Sequence, residues 1–271
     1  MKPAPFEYAA PRSVEEAVWL LGEDVAPLAG GQSLVPLLNF RLARPAVIVD
    51  LNGIDSLGGL IRDDASGTLR IGAMTRQAAL ERSAMVAEGW PLLGQAVRFA
   101  GHPQTRSRGT VGGSVTHADP AAELPAALLA LDAVFHLRSV SRARTVAAND
   151  FFVGPLTTVR EPVELLVEIE VPALAAGART AFVEHARTHG DFATAGAAVV
   201  LGSDGAGAAI AVLGVEGKPT RVRAAEYALR GGASFREAAE LVAASAGDEY
   251  RRALVAELVF RALTEAAGQS H

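Results

Sequence analysis

The chain has 271 residues, of which 50% are hydrophobic and 20% charged, a globular composition that excludes a disordered, collagen-like or coiled-coil protein. Its formal net charge of -5 comes without any basic run, so the electrostatic footprint of a nucleic-acid binder is missing and no nucleic-acid partner is expected. Cysteine is absent, which rules out disulfides, thiolate zinc sites, a catalytic thiol and a cysteine-ligated iron–sulfur cluster, so any electron handling needs another carrier.

No stretch approaches the ~18 consecutive apolar residues of a membrane-spanning helix. The opening Met1-Lys2-Pro3-Ala4-Pro5-Phe6-Glu7 has no apolar segment of the secretory kind, so no transmembrane segment and a cytoplasmic location are expected. Ser13-Val14-Glu15-Glu16 has capping-box spacing and predicts a helix over 14–22. An apolar run at 25–29 predicts a strand entering the Gly30-Gly31 turn, followed by a short helix over 34–42 that Arg44-Pro45 closes. The β-branched 47–51 reads as a buried strand, giving β-loop-α-β within residues 1–55.

From 56 onward the pattern predicts a strand at 68–71 and helices beginning near Thr75 and Pro91. A long connection over 101–109 follows, then a second glycine pair, Gly112-Gly113. Asp119-Pro120 has N-cap and N1 chemistry for an Ala/Leu helix ending near Leu131. Strands at 133–137 and 164–171 flank a loop containing Phe151-Phe152-Val153-Gly154-Pro155, and 172–177 reads as a linker. The remaining segment predicts strands near 180–185, 195–201 and 208–214, with 202–207 as a hairpin loop, then helices near 222–230, 234–246 and 248–267. The expected class is α+β: subdomains 1–55 and 56–173, then a smaller α+β domain, 178–271, with a three-stranded antiparallel sheet plus helices.

Two glycine pairs carry the strongest chemical signal. In Ala29-Gly30-Gly31-Gln32-Ser33 and Thr110-Val111-Gly112-Gly113-Ser114, paired glycines allow close backbone approach, and free N–H groups at a helix start suit an anionic phosphate. Each pair taken alone reads better as an ordinary tight turn; their matched composition reverses this and favours two loops gripping one diphosphate. Only two lysines occur, Lys2 and Lys218, so a phosphate-binding lysine has almost nowhere to come from. Competing motifs fail: Gly202, Gly205 and Gly207 have the wrong spacing for a dinucleotide fingerprint, and Gly217-Lys218 runs into Pro219 rather than completing a Walker A motif. Ser33 and Ser114 lack the Gly-x-Ser-x-Gly elbow of a hydrolase nucleophile. His185 and His189 are four apart, but Ala186 replaces the glutamate of a zinc helix and the local pattern is a strand entering a loop, so no metal site is expected.

Four ordered motifs give the sequence a family resemblance: Ala29-Gly30-Gly31-Gln32-Ser33-Leu34-Val35-Pro36, Ile71-Gly72-Ala73-Met74-Thr75, Arg106-Ser107-Arg108-Gly109-Thr110-Val111-Gly112-Gly113-Ser114 and His117-Ala118-Asp119-Pro120-Ala121-Ala122-Glu123. Together they resemble the FAD-binding medium subunit of molybdenum hydroxylases, of the carbon monoxide, nicotine and xanthine dehydrogenase types. Gly190-Asp191-Phe192-Ala193 and Glu249-Tyr250-Arg251-Arg252 look like the C-terminal domain of those subunits.

The resemblance implies a two-subdomain FAD-binding fold of the p-cresol methylhydroxylase and vanillyl-alcohol oxidase type, with FAD between the subdomains. It places Ala29, Gly30, Gly31, Gln32, Ser33 and Leu34, with Thr110, Val111, Gly112, Gly113 and Ser114, at the pyrophosphate. Ala73 and Thr75 belong to the same set, Glu123 takes the ribose position, Phe99 faces the adenine, and Leu166 and Val167 face the ring system. Ser107 stands where many relatives have asparagine, Phe192 where some have tyrosine, and no lysine lies around Val183-Glu184-His185, where some relatives carry one near the flavin.

The chain is then expected to be the electron exit of a complex, probing no substrate itself and using no catalytic side chain. The molybdenum cofactor and [2Fe–2S] clusters would sit on large and small partner subunits, in a dimer of heterotrimers. A stand-alone flavin oxidoreductase and a non-catalytic nucleotide-binding assembly module are the alternatives. The organic substrate and the electron acceptor are not legible in this chain.

Overall fold

The structure, a computed structural model, describes residues 2–203, 205, 207–243 and 247–268. The first segment contains β1 (Glu7–Ala9), α1 (Val14–Leu20), β2 (Val25–Leu28), α2 (Leu34–Asn39) and β3 (Val47–Asp50), with a parallel sheet ordered β1-β3-β2. Ser13 caps α1 as the spacing predicts, accepting from the Glu16 N–H, while Glu16 reaches back to the Arg12 N–H. Apolar positions of α1 and β3 close a small core with Ile54, Leu57 and Met74.

The second segment contains β4 (Leu60–Arg62), β5 (Leu69–Gly72), α3 (Gln77–Arg82), α4 (Ala84–Gly89), α5 (Pro91–Val97), α6 (Pro103–Arg108), α7 (Val111–His117) and α8 (Glu123–Ala130). It continues through β6 (Val134–Arg138), β7 (Ala143–Ala147), α9 (Ala148–Phe151), β8 (Phe152–Gly154), β9 (Thr157–Thr158) and β10 (Leu165–Val171). The five-stranded sheet runs β4-β5-β10-β6-β7. Every residue of α8 is buried; after Glu123 the helix is apolar all round, as suits one that passes through the middle of a core.

Four local expectations change here. The expected loop at 151–155 contains the end of α9 and the strand β8. The 101–109 connection contains α6, because Pro103 sits at a first-turn position that its fixed φ favours. The second glycine pair lies within the first turn of α7 rather than in a loop, since the Thr110 hydroxyl accepts from the Gly113 N–H and starts the helix. Asp119 accepts from the Ala121 N–H in a turn, and α8 begins only at Glu123.

The last segment contains β11 (Arg179–His185), β12 (Ala195–Leu201), β13 (Ala208–Leu213), β14 (Thr220–Arg221), α10 (Arg223–Arg230), α11 (Phe235–Ala243) and α12 (Glu249–Gly268). The antiparallel sheet, expected with three strands, has a fourth, two-residue edge strand: order β11-β12-β13-β14. Alternation along β12 explains its place. Ala195, Ala197, Val199 and Leu201 pack on the helices α10–α12, whereas Ala198 joins the core of the second segment. The sheet is therefore a shared wall. Asp204 and Ala206 of the expected hairpin loop, residues 244–246 of the expected helix, and His271 lie outside the described residues. Among the described residues, no helix is long and apolar enough to cross a membrane.

Candidate functional site

A cleft of about 630 Å³ runs between the first and second segments, with Gly190, Asp191 and Phe192 of the last segment also on its wall; its volume is within the roughly 300–1,000 Å³ typical of ligand pockets. Both glycine motifs lie on its wall, and they touch. A Cβ on Gly30 would fall on the Arg108 carbonyl, and one on Gly113 would lie 3.7 Å from the Ala29 Cβ. Glycine at position 30 is thus required because two backbones meet there.

The motifs differ in what they offer. Among the described residues, no backbone N–H from Gly30 to Leu34 donates to a protein acceptor. Gly31 adopts φ +72, and α2 starts without a side-chain cap, so these donors open into the cleft. In the second motif the donors are already used: Val111 N–H donates to the Thr75 carbonyl (2.9 Å), Gly112 to the Ala73 carbonyl (2.8 Å) and Ser114 to the Thr110 carbonyl (3.1 Å). Gly113 donates to the Thr110 Oγ1 at 3.0 Å. What this motif presents to the cleft is hydroxyls, since no described partner holds the Ser114 side chain.

A polar chain stitches the motifs together. Asn52 Nδ2 donates to the Ala29 carbonyl at 2.9 Å. Arg76 donates through Nη2 to Asn52 Oδ1 and through Nη1 to the Arg108 carbonyl, both at 2.6 Å. The backbone of Arg76 also bridges Thr110. Asp50 anchors the far end, accepting from Asn52 N–H (2.9 Å) and from the Tyr8 hydroxyl.

Of the residues singled out in the sequence, Ala29, Gly30, Gly31, Gln32, Ser33, Leu34, Ala73, Thr110, Gly112, Gly113, Ser114, Glu123 and Leu166 line this one cleft. Four side chains do not. Val111 is buried in the core of the second segment. Thr75 donates its hydroxyl to the Gly59 carbonyl at 2.8 Å, and Phe99 packs on Phe182 with centroids 5.5 Å apart. Val167 packs into the first core and contributes its carbonyl, which accepts from Ala73 N–H at 3.0 Å. A β-bulge between Leu166 and Glu168 turns Leu165 and Leu166 to the cleft instead.

Sequence reasoning missed Gln77, Arg160, Glu164 and Leu165 on the wall. Gln77 is 7% exposed and its Oε1 has no partner among the described residues. A buried acceptor left unmet is costly, and a hydroxyl-rich ligand would satisfy it. Burial pushes the Glu123 carboxyl up to about 7, and Asp119 adds to the shift. Burial and the nearby Glu123 raise Glu184 to about 8. Glu164 goes the other way, to about 2, chiefly through its hydrogen bonds from Arg144. The histidines have separate roles: His136 pairs with Glu170 at 3.2 Å, and His102 meets His189 edge-on. Among the described residues no cluster could hold a metal ion.

The donor set fits a dinucleotide: unpartnered amides for a diphosphate, hydroxyls opposite them, and polar groups for sugar hydroxyls farther along. Residues 4–174 match the family model described as FAD binding domain in molybdopterin dehydrogenase. The chain is 44% identical to the 6-hydroxypseudooxynicotine dehydrogenase complex subunit alpha of Paenarthrobacter nicotinovorans, over 83% of this chain and 77% of that one. It is 40% identical to the carbon monoxide dehydrogenase medium chain of Hydrogenophaga pseudoflava, over 98% of both. The solved carbon monoxide dehydrogenase from the same organism superposes with a TM-score of 0.92, at 41% identity, covering 98% of this chain and 99% of that one.

Proposed function

We infer the role of this chain from its family: it belongs to the FAD-binding medium subunits of molybdenum hydroxylases. It is the flavoprotein component of a multi-subunit oxidoreductase, has the α+β FAD-binding fold of that family, and leaves molybdenum and iron–sulfur centres to other subunits. Bound FAD supplies the redox chemistry. For this chain we propose the electron exit: it receives electrons from a [2Fe–2S] partner and delivers them to an external acceptor, in a cytoplasmic dimer of heterotrimers.

The observation that carries the site assignment is the run of unpartnered amides from Gly30 to Leu34 on the cleft wall. These would hold the diphosphate, with Thr110 and Ser114 closing on it from the other side. Gln77 and Glu123 would meet hydroxyls of the dinucleotide, and Leu165 and Leu166 would flank the ring system. Ala73, Thr75, Val111 and Val167 act through their backbones, fixing where α7 begins.

Purified full-length chain is expected to be yellow and to release FAD, one per chain, on denaturation. A colourless chain that ignores added FAD overturns the assignment. Rapid oxidation of an organic substrate by the chain alone would favour a stand-alone oxidoreductase and remove the electron-exit role.

A further inference from the structure

Arg160 is a half-buried cation on the cleft wall that forms no ion pair among the described residues. Its Nη1 donates to the carbonyls of Glu161 (3.0 Å) and Glu164 (2.7 Å), and its other guanidinium nitrogens have no described partner. The one carboxylate coupled to it, Glu164, is already taken by Arg142 at 3.0 Å and by Arg144 through both oxygens at 2.7 Å. Burying a guanidinium with so little compensation is unfavourable unless something negative occupies the space it faces.

The cleft has more than one place where negative charge could sit. The diphosphate position is served by the amides of Gly30 to Leu34. Arg160 is instead held at the Glu164 carbonyl, next in the chain to Leu165 and Leu166, which share the cleft wall with it.

We propose that Arg160 is the redox-tuning residue of this subunit, its guanidinium facing the pyrimidine edge of the flavin ring and favouring the reduced form. Two electrons and one proton added to the neutral oxidised ring leave one negative charge, spread over that edge, and a fixed cation beside it stabilises the product over the reactant. The backbone carbonyls of Glu161 and Glu164 hold the guanidinium in place, so little reorganisation accompanies the charge. This rests on the proposed FAD site.

The test uses the full chain loaded with FAD and measures three things: FAD stoichiometry, the two-electron midpoint potential, and affinity for sulfite, which adds to a flavin ring as an anion and reports positive charge near it. Arg160→Gln should keep its FAD while losing roughly tenfold or more in sulfite affinity, with the potential moving to more negative values. Arg160→Lys should recover most of both. Unchanged potential and sulfite affinity in Arg160→Gln overturns the proposal. Loss of FAD from Arg160→Gln, with FAD retained in the parent chain, also overturns it by placing the cation on the diphosphate. A parent chain that binds no FAD overturns the underlying site assignment instead.

Discussion

The two glycine motifs have nearly the same composition and end up as opposite kinds of structure. The first is an open turn whose amides stay free, and the second is the capped first turn of α7, whose amides are spent on Ala73, Thr75 and Thr110. Paired glycines therefore signal close backbone approach, without saying whether the approaching backbone meets a ligand or another part of the protein. At Gly112, as at Gly30, it meets the protein: an added Cβ at Gly112 would lie 2.6 Å from the Ala73 carbonyl oxygen.

The largest effect expected from this contrast is on stability. Gly112→Ala should destabilise the FAD-free chain by about 1–3 kcal/mol, because the carbonyl it would strike is backbone and cannot move aside cheaply. Thermal melts of apo protein check this, and an unchanged midpoint would remove the packing explanation for the second glycine pair.

Next comes Arg76→Met, which removes both links of the guanidinium to Asn52 and Arg108. FAD affinity should fall by on the order of tenfold or more while the circular dichroism spectrum persists, since charge-assisted hydrogen bonds contribute about 1.5–3 kcal/mol each. Full affinity in this variant would mean that contact between the glycine motifs alone sets their spacing.

Hydroxyl removal sharpens the comparison further. Ser114→Ala should weaken FAD binding several-fold, about 0.5–1.5 kcal/mol, whereas Ser33→Ala should be near neutral, because the first motif acts through its backbone. The reverse ranking by titration calorimetry would exchange the roles of the two motifs.

The smallest effect concerns pH. The Glu123 carboxyl sits at about 7 in the folded chain against an ordinary value of 4.5. Its contribution to apo stability is complete below the ordinary value and is lost as pH rises through about 7. Glu123→Gln should flatten that decline in melting temperature across the window. A decline of unchanged slope would assign it to Glu184, which shares the burial and rises to about 8.

Local signals were legible wherever the cause of the structure is local. Ser13 and Glu16 marked the start of α1, β12 spans the residues its apolar run suggested, and the ordered glycine motifs pointed to the family that the sequence and structure matches establish. The start of α8 was misplaced because Asp119-Pro120 has genuine capping chemistry, which the chain spends on a turn. Gln77 and Arg160 carried no signal at all: nothing in their neighbours distinguishes them from surface polar residues.

The sequence by itself determined the absence of a thiolate-held metal centre, the α+β class and the two places where backbone could come close, since each depends on residue type or on spacing within one element. Tertiary structure decided which amides remain free, which side chains span from one glycine motif to the other, and which cation faces the cleft. Those outcomes depend on pairing segments far apart in the chain, as when Asn52 reaches Ala29 and Arg76 reaches Arg108. A donor is free or used according to what packs against it, and no local pattern records that.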